Sequence, residues 1–295
     1  MLPPLLANAT VGAVLYTSYL TFLGSFYEPA SHAAKRVYPP APMLDTFAAG
    51  TAAGAIQSLV AAPLDAIQTR FNTRELLEKQ YRSIWQYSRD KLREIGPRGV
   101  FAGWSLSFFK DSLGNGLFFL TFETLKAQVF YSFVTTYYGV FKPIITEPQH
   151  WFGRGGKRER PVIRPHYMLE PSAILVAGVA ASIAQQTVQH PLTRVQTIHY
   201  ERLESLDFAA KQEPTKAQIL RNYYRAYQQT YQECKLEAVK LGSFRKWLYK
   251  DFTMSTLRQV PSTSAGLVVF EVLRRKYATD YEVRIKKDGY DILLT

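Results

Sequence analysis

Cysteine is nearly absent from this 295-residue chain, and acidic residues are fewer than basic ones. The single cysteine, Cys234, excludes a disulfide framework and a zinc site built from cysteines. None of the five histidines lies four residues from another, so we expect no metal site of the paired-histidine type. Lysine and arginine outnumber aspartate and glutamate by 36 to 24, and the resulting charge of +12 attracts nucleic acid, anionic lipid and anionic metabolites alike. The charge alone therefore does not identify a partner.

Charged residues are missing altogether from three long stretches, and these stretches predict membrane helices. The stretches are residues 1–27, 46–64 and 171–193. Each has roughly the 20 residues that a helix needs to cross the hydrocarbon core. Small residues at four-residue spacing, Gly50 with Gly54 and Gly178 with Ser182, predict that these helices pack closely. A soluble nucleic-acid-binding protein would not need such segments, so we expect no nucleic-acid partner.

The chain contains two copies of one helical unit. In each copy a helix rich in small residues carries a proline near its end, Pro63 in the first and Pro191 in the second, and such a proline kinks a helix. A polar helical stretch follows, and a second apolar helix then ends on an aromatic residue, an acid and a base at the same offsets. These endings are Phe122-Glu123 with Lys126, and Phe270-Glu271 with Arg274. The repeat predicts an all-α membrane protein with kinked helices.

Together these features resemble the mitochondrial carrier family. The likeness is carried by Pro63-Leu64-Asp65 with Arg70, by residues 96–103, by the two endings, and by Arg258-Gln259-Val260-Pro261, and it extends from about residue 46 to residue 276. The resemblance implies a multi-pass transporter of the mitochondrial inner membrane, not an enzyme, with six helices around a substrate cavity. Residues 1–27 match only the second helix of a first repeat. We therefore expect five membrane helices instead of six. Two explanations of the open side stay open: the native chain starts before Met1 and supplies the missing helix, or a protein partner closes the barrel.

The same resemblance predicts how the chain is divided. The expected parts are residues 1–45 as half of a first repeat with a linker, 46–138 and 171–280 as carrier repeats, 139–170 as a basic loop insertion, and 281–295 as a C-terminal tail.

The resemblance also implies a gate at each end of the transport path. The residues at the family's gate positions on the intermembrane side are Glu123, Lys126, Glu271 and Arg274. Those on the matrix side are Asp65, Gln68, Thr193 and Gln196, so most of the expected charges are missing there. We expect Asp65 to accept a hydrogen bond from Gln196, worth about 1.5–3 kcal/mol, and the matrix end to close less firmly than a ring of ion pairs would.

The family's substrate contact points fall on Lys110, Asp111 and Arg258, with Asn115 one turn further along the same helix. Cations at this depth need anions, and a guanidinium matches the geometry of a carboxylate. This favours a small anionic metabolite, in particular a carboxylate. Two interpretations of Asp111 stay open, since it could neutralise Lys110 or bind the ammonium group of an amino acid.

Two functions remain open on the sequence alone. One is a transporter that works by alternating access, and the other is a carrier-derived membrane adaptor or assembly protein that transports nothing. Besides its substrate, the chain is expected to contact membrane lipid, because residues 96–103 resemble the family's cardiolipin-binding turn, although Ala102 replaces the usual base. No other cofactor is expected.

Overall fold

The computed structural model describes twelve parts of the chain. They are residues 2–30, 39–69, 86, 89–90, 92–93, 100–101, 103–140, 162–163, 169–210, 216–277, 283–287 and 290–294. The helices are α1 (Leu2–Phe26), α2 (Met43–Thr69), α3 (Trp104–Glu123), α4 (Phe130–Val140), α5 (Leu169–Ala210), α6 (Lys216–Lys240), α7 (Phe244–Leu248) and α8 (Phe252–Tyr277). A 3₁₀ turn (Glu28–Ala30) follows α1, and a π-helical turn (Thr124–Val129) joins α3 to α4.

Five of the helices pack in a row. Helix α1 lies against α2, α2 against α3, α3 against α5, and α5 against α8. The core between the first four members combines two leucines and Tyr19 of α1 with three phenylalanines of α3, packed against alanines of α2 and α5 and Ile174. Its centre is the stacked pair of Tyr19 and Phe119, whose ring centroids lie 3.7 Å apart. Helices α1 and α8 stand at the two ends of the row.

Among the residues that the structure describes, three helices are long and apolar enough to span a membrane, and they match the three charge-free stretches. The spans are Asn8–Phe26, Met43–Ile67 and Pro171–Leu203. The other two predicted membrane helices, α3 and α8, form but do not meet the same hydropathy criterion. Helix α3 carries Lys110 and Asp111, and α8 carries Arg258. The family-based prediction of five crossings therefore stays a prediction for α3 and α8.

A small sheet is present that the all-α prediction did not include. Strands β1 (Val162–Ile163), β2 (Val283–Lys287) and β3 (Tyr290–Leu294) are ordered β1-β3-β2, with β1 parallel and β2 antiparallel to β3. The sheet joins the predicted loop insertion to the predicted C-terminal tail. Strand β1 has two residues, and its partner β3 lies more than 100 residues away, so it leaves a weak pattern in the sequence. Strands β2 and β3 form a hairpin of neighbouring segments that the sequence analysis did not recognise.

Helices α2 and α3 approach closely through glycine, as the small-residue spacing predicted. A Cβ atom on Gly54 would overlap the main-chain carbonyl of Asp111 and lie 2.9 Å from Cα of Ser112. A Cβ on Gly50 would lie 2.8 Å from the carbonyl oxygen of Asn115. Because these contacts are with backbone atoms, a side chain could enter only if one helix moved.

We expect Gly54→Ala to lower the free energy of unfolding by about 1–3 kcal/mol, because overpacking forces backbone shifts. The measurement is the thermal unfolding midpoint of the detergent-solubilised protein. Gly12→Ala is the matched control, since a Cβ there meets no atom within 4 Å. Alanine also has the higher helix propensity, so the control should melt at the same temperature or slightly above. Equal losses in both variants would contradict the close approach.

The proline in α5 has a partner for the carbonyl group that it leaves unbonded. Pro191 has no N–H for the carbonyl of Thr187, four residues earlier. The hydroxyl of Tyr249, in the turn before α8, donates to that oxygen at 3.0 Å. The same turn is held to α5 by His190 and Arg194, whose side chains lie 2.9 and 2.8 Å from the carbonyl oxygen of Lys250. Both predicted prolines lie inside their helices, and the helices continue beyond them.

Tyr249→Phe removes only this hydroxyl and leaves the ring in place. We expect a loss of about 1 kcal/mol in the free energy of unfolding, because a carbonyl group in an apolar setting loses its donor. Thermal unfolding of the two variants Tyr249→Phe and Tyr224→Phe checks this. Tyr224 is exposed on α6, and its variant should melt like the parent protein. Identical midpoints for both would show that the Thr187 carbonyl does not need Tyr249.

Cys234 lies in a second, smaller core with Ala238 and Trp247, where α6 and α7 meet. Burial raises the pKa of its thiol. A buried thiol with a raised pKa is inert, so the lone cysteine is a packing residue rather than a reactive one.

Candidate substrate site

The charged residues of α3 form an ion pair. Nζ of Lys110 lies 3.6 Å from Oδ1 of Asp111, and both side chains are more than four-fifths buried. Asp65 on α2 lies within electrostatic reach of both. The cluster contains two carboxylates and one ammonium group, and it carries one net negative charge when all three are ionised. This is the first of the two arrangements left open for Asp111.

Arg258 on α8 has a different environment. Its side chain is exposed, and among the side chains that the structure describes no carboxylate pairs with it. Its neighbour Gln259 accepts a hydrogen bond from the side-chain amide of Gln186 on α5. In the two copies of the repeat, Arg258 and Gln259 correspond to Lys110 and Asp111. The second copy thus keeps the base and replaces the acid by an amide.

Asn115 joins two helices instead of opening into a cavity. It is 2% exposed, its Nδ2 donates to Oε1 of Gln57 on α2 at 2.7 Å, and its Oδ1 accepts from Nε2 of Gln185 on α5 at 3.0 Å. Its role as a substrate contact stays a prediction. The sequence analysis missed both glutamines. The signal was available, because each lies six residues before the proline of its repeat.

We expect Asn115→Leu to lower the free energy of unfolding by about 1–3 kcal/mol. The substitution keeps the branched shape of the side chain, although it adds volume, and it leaves the amides of Gln57 and Gln185 without their partner. Asn8→Leu, at an exposed position on α1, serves as the control. Thermal unfolding in detergent measures both, and a midpoint for Asn115→Leu at or above that of the control would contradict the bridging role.

The predicted matrix-side residues are only partly brought together. Nε2 of Gln196 donates to Oγ of Ser107 and to the hydroxyl of Tyr200, each at 2.6 Å, and Asp65 hydrogen-bonds Ser107. The amide of Gln196 thus reaches the neighbour of Asp65, where the prediction was a direct bond to Asp65 itself. Thr193 is exposed and donates to the carbonyl of its own helix. The side chain of Gln68 lies outside the described residues.

The predicted intermembrane-side gate is described in one copy of the repeat. Nζ of Lys126 lies 3.9 Å from Oε1 of Glu123 and 5.3 Å from the centre of the Phe122 ring, all within one helical segment. The side chains of Glu271 and Arg274 lie outside the described residues, so a gate between the copies stays a prediction.

Two further expectations concern a lipid-binding turn and a metal site. Most of residues 96–103, the predicted cardiolipin turn, lie outside the described residues. Within the described parts of the chain, no group of three His, Cys, Asp or Glu side chains is placed to hold a metal ion.

Apolar helices of membrane length, with prolines inside two of them, are typical of a multi-pass membrane protein. The family model described as "Mitochondrial carrier protein" matches residues 39–132, about a third of the chain. The resemblance seen in the sequence is thereby confirmed. Members of this family are transporters of the mitochondrial inner membrane and not enzymes, so both of these expectations are confirmed as well.

Individual relatives are distant. The chain is 25% identical to "Mitochondrial thiamine pyrophosphate carrier 1" of Aspergillus oryzae over 270 residues, which cover 92% of this chain and 69% of the relative. The protein of the same name from Aspergillus niger is 25% identical over 277 residues, or 93% and 72% of the two chains. The human "Solute carrier family 25 member 45" is 32% identical over 133 residues, which cover 42% of this chain and 45% of that protein. No solved structure matches the chain.

Proposed function

We propose that this carrier transports, by alternating access, a small metabolite that has both an anionic and a cationic group. The anionic group is a carboxylate or a phosphate. The observation that carries the proposal is the unequal distribution of charge between the two copies of the repeat. The first copy contributes Asp65, Asp111 and Lys110, and the second copy contributes Arg258.

Arg258 is the residue that would bind the anion. Because Gln259 stands where the first copy has an acid, Arg258 has no carboxylate beside it in the sequence. A guanidinium forms paired hydrogen bonds with a carboxylate or a phosphate. Lys110 was predicted to share this role. Its ammonium is already paired with Asp111, so binding the anion there would first require breaking that pair.

The acidic cluster would bind the cationic group. Asp65 and Asp111 together carry one more negative charge than Lys110 neutralises. Charges away from bulk water interact more strongly than at the surface, so a positive group on the substrate is favoured there. The sequence analysis considered that Asp111 binds the ammonium group of an amino acid. The present proposal extends this to any positive group on the substrate. Substrate binding to both halves would offset the free energy needed to open the path.

The names of the relatives are consistent with such a substrate. Two of them are called thiamine pyrophosphate carriers, and thiamine pyrophosphate has a cationic ring and an anionic pyrophosphate. An amino acid has the same two charges on a smaller frame. The proposal therefore defines a charge pattern, and the experiment below decides which molecule fits it.

We expect thiamine pyrophosphate or an α-amino acid to raise the thermal unfolding midpoint of the purified protein, since a ligand that binds only the folded state stabilises it. Simple dicarboxylates should stabilise it less. Arg258→Ala should weaken binding at least about tenfold, because a charge-assisted hydrogen bond is worth roughly 1.5–3 kcal/mol. Uptake of the stabilising compound into proteoliposomes then tests transport directly.

Arg225→Ala is the matched control, because Arg225 is an exposed arginine on α6 that is not among the proposed binding residues. It should bind and transport like the parent protein. If dicarboxylates stabilise the protein more than thiamine pyrophosphate and amino acids do, the protein would still bind a metabolite. The proposed cationic group on the substrate would then be wrong. If no compound stabilises the protein or enters the vesicles, the transport proposal fails and the adaptor interpretation takes its place.

A further inference from the structure

The charged cluster of the first copy is unbalanced and lies largely away from water. The side chains of Lys110 and Asp111 are 18% and 14% exposed, and Nζ of the first lies 3.6 Å from Oδ1 of the second. Asp65 on α2 lies within electrostatic reach of both. The acids therefore outnumber the base by one. An ion without a counter-charge is costly to bury, so the cluster attracts a cation or a proton.

The described parts of the surrounding helices add no second base to the cluster. Among the described side chains, Lys110 is the base whose charge acts on both carboxyl groups. Helix α1, which packs on α2, has no acid and no base, and Arg194 of α5 is bonded to the turn before α8. The hydroxyl of Tyr200 on α5 lies 3.0 Å from Oγ of Ser107, which hydrogen-bonds Asp65. Both hydroxyls are neutral near pH 7 and leave the charge of the cluster unchanged.

Arg258 is the other base of the proposed substrate site. Its side chain is exposed, and it is not among the groups whose charge acts on Asp65 or Asp111. A guanidinium stays charged in proteins, so it would balance the extra acid only by moving against it. In the arrangement that the structure shows, a proton is the available counter-charge whenever the substrate has left.

We propose that the cluster of Asp65, Lys110 and Asp111 couples transport to a proton, so that the carrier exchanges its substrate for a proton; this proposal rests on the proposed function. The positive group of the substrate neutralises the cluster in one direction. After its release, a proton from the water on that side binds a carboxylate oxygen of Asp65 or Asp111, and it is given up on the other side when the next substrate binds. The cluster is then neutral in both crossings, and no uncompensated charge moves through the low-dielectric part of the protein.

Infrared spectroscopy of the full chain in detergent tests proton binding without any substrate. We expect the C=O stretching band of a protonated carboxyl group at about pH 6, where an aspartate in water is ionised. Asp111→Asn and Asp65→Asn should each lose this band, because one acid then remains and Lys110 balances it. Asp251→Asn is the matched control: the side chain of Asp251 is 70% exposed, and the variant should keep the band. No band in the parent protein, or a band that survives in both cluster variants, would overturn the proposal.

Proteoliposomes that contain a pH-sensitive dye test the coupling itself. Thiamine pyrophosphate and alanine are supplied outside in separate experiments, and vesicles without protein control for buffering by the compounds. We expect uptake to make the lumen more alkaline, since a proton leaves as the substrate enters. A lumen one pH unit more acidic than the outside should speed uptake up to about tenfold, because each unit changes proton occupancy by at most that factor.

The two proposals fail in distinguishable ways. Uptake that leaves the pH of the lumen unchanged and does not respond to the pH difference would overturn the coupling and keep the proposed substrate. A protonated carboxyl band without uptake of either compound would reject transport of these compounds and, with it, the coupling.

Discussion

A polar group without a partner is costly inside a membrane helix, and several contacts between the helices of this chain satisfy such groups. The proline inside α5 leaves the Thr187 carbonyl unbonded, and Tyr249 from the turn before α8 supplies the missing donor. Asn115 is buried, and its amide is bonded to glutamines of two other helices. In each case the bond that satisfies the group also fixes the position of one helix against another. Polar satisfaction and helix packing are therefore the same requirement in this protein.

The groups that satisfy one another are mostly neutral. Amides and hydroxyls join α2, α3, α5 and α8, where the family pattern leads one to expect charges at the matrix end. Burying a neutral amide costs less than burying an ion, and a neutral hydrogen bond returns less free energy than an ion pair. The result is a bundle whose internal contacts are numerous and individually weak. Such contacts can be exchanged in small steps, which suits the alternating access proposed for this protein.

The row of helices could be predicted from the sequence, while its internal bonds could not. Charge-free stretches, the repeated proline and the glycine spacing depend on residues close together in the chain, and the approach of Gly54 to α3 followed from them. The partners of Asn115 lie 58 and 70 residues away, and no local pattern indicates which amide faces which. The bond between Gln196 and Ser107 spans 89 residues and required the crossing of α3 and α5 to be known. In the sheet this reason applies only to β1, since β2 and β3 are neighbours in the sequence and their hairpin was not recognised.

The two copies of the repeat have diverged in a way that bears on binding. Asp65 corresponds to Thr193, Asp111 to Gln259, and Phe101 to Tyr249. The acids of the site thus belong to the first copy, and the second copy contributes a base without an acid beside it. An anion with the same charge at both ends could pair with Arg258 at one end only. Its other end would face the acidic cluster, where like charges repel. A substrate with opposite charges at its two ends can satisfy both sides in a single orientation, because turning it around would bring like charges together.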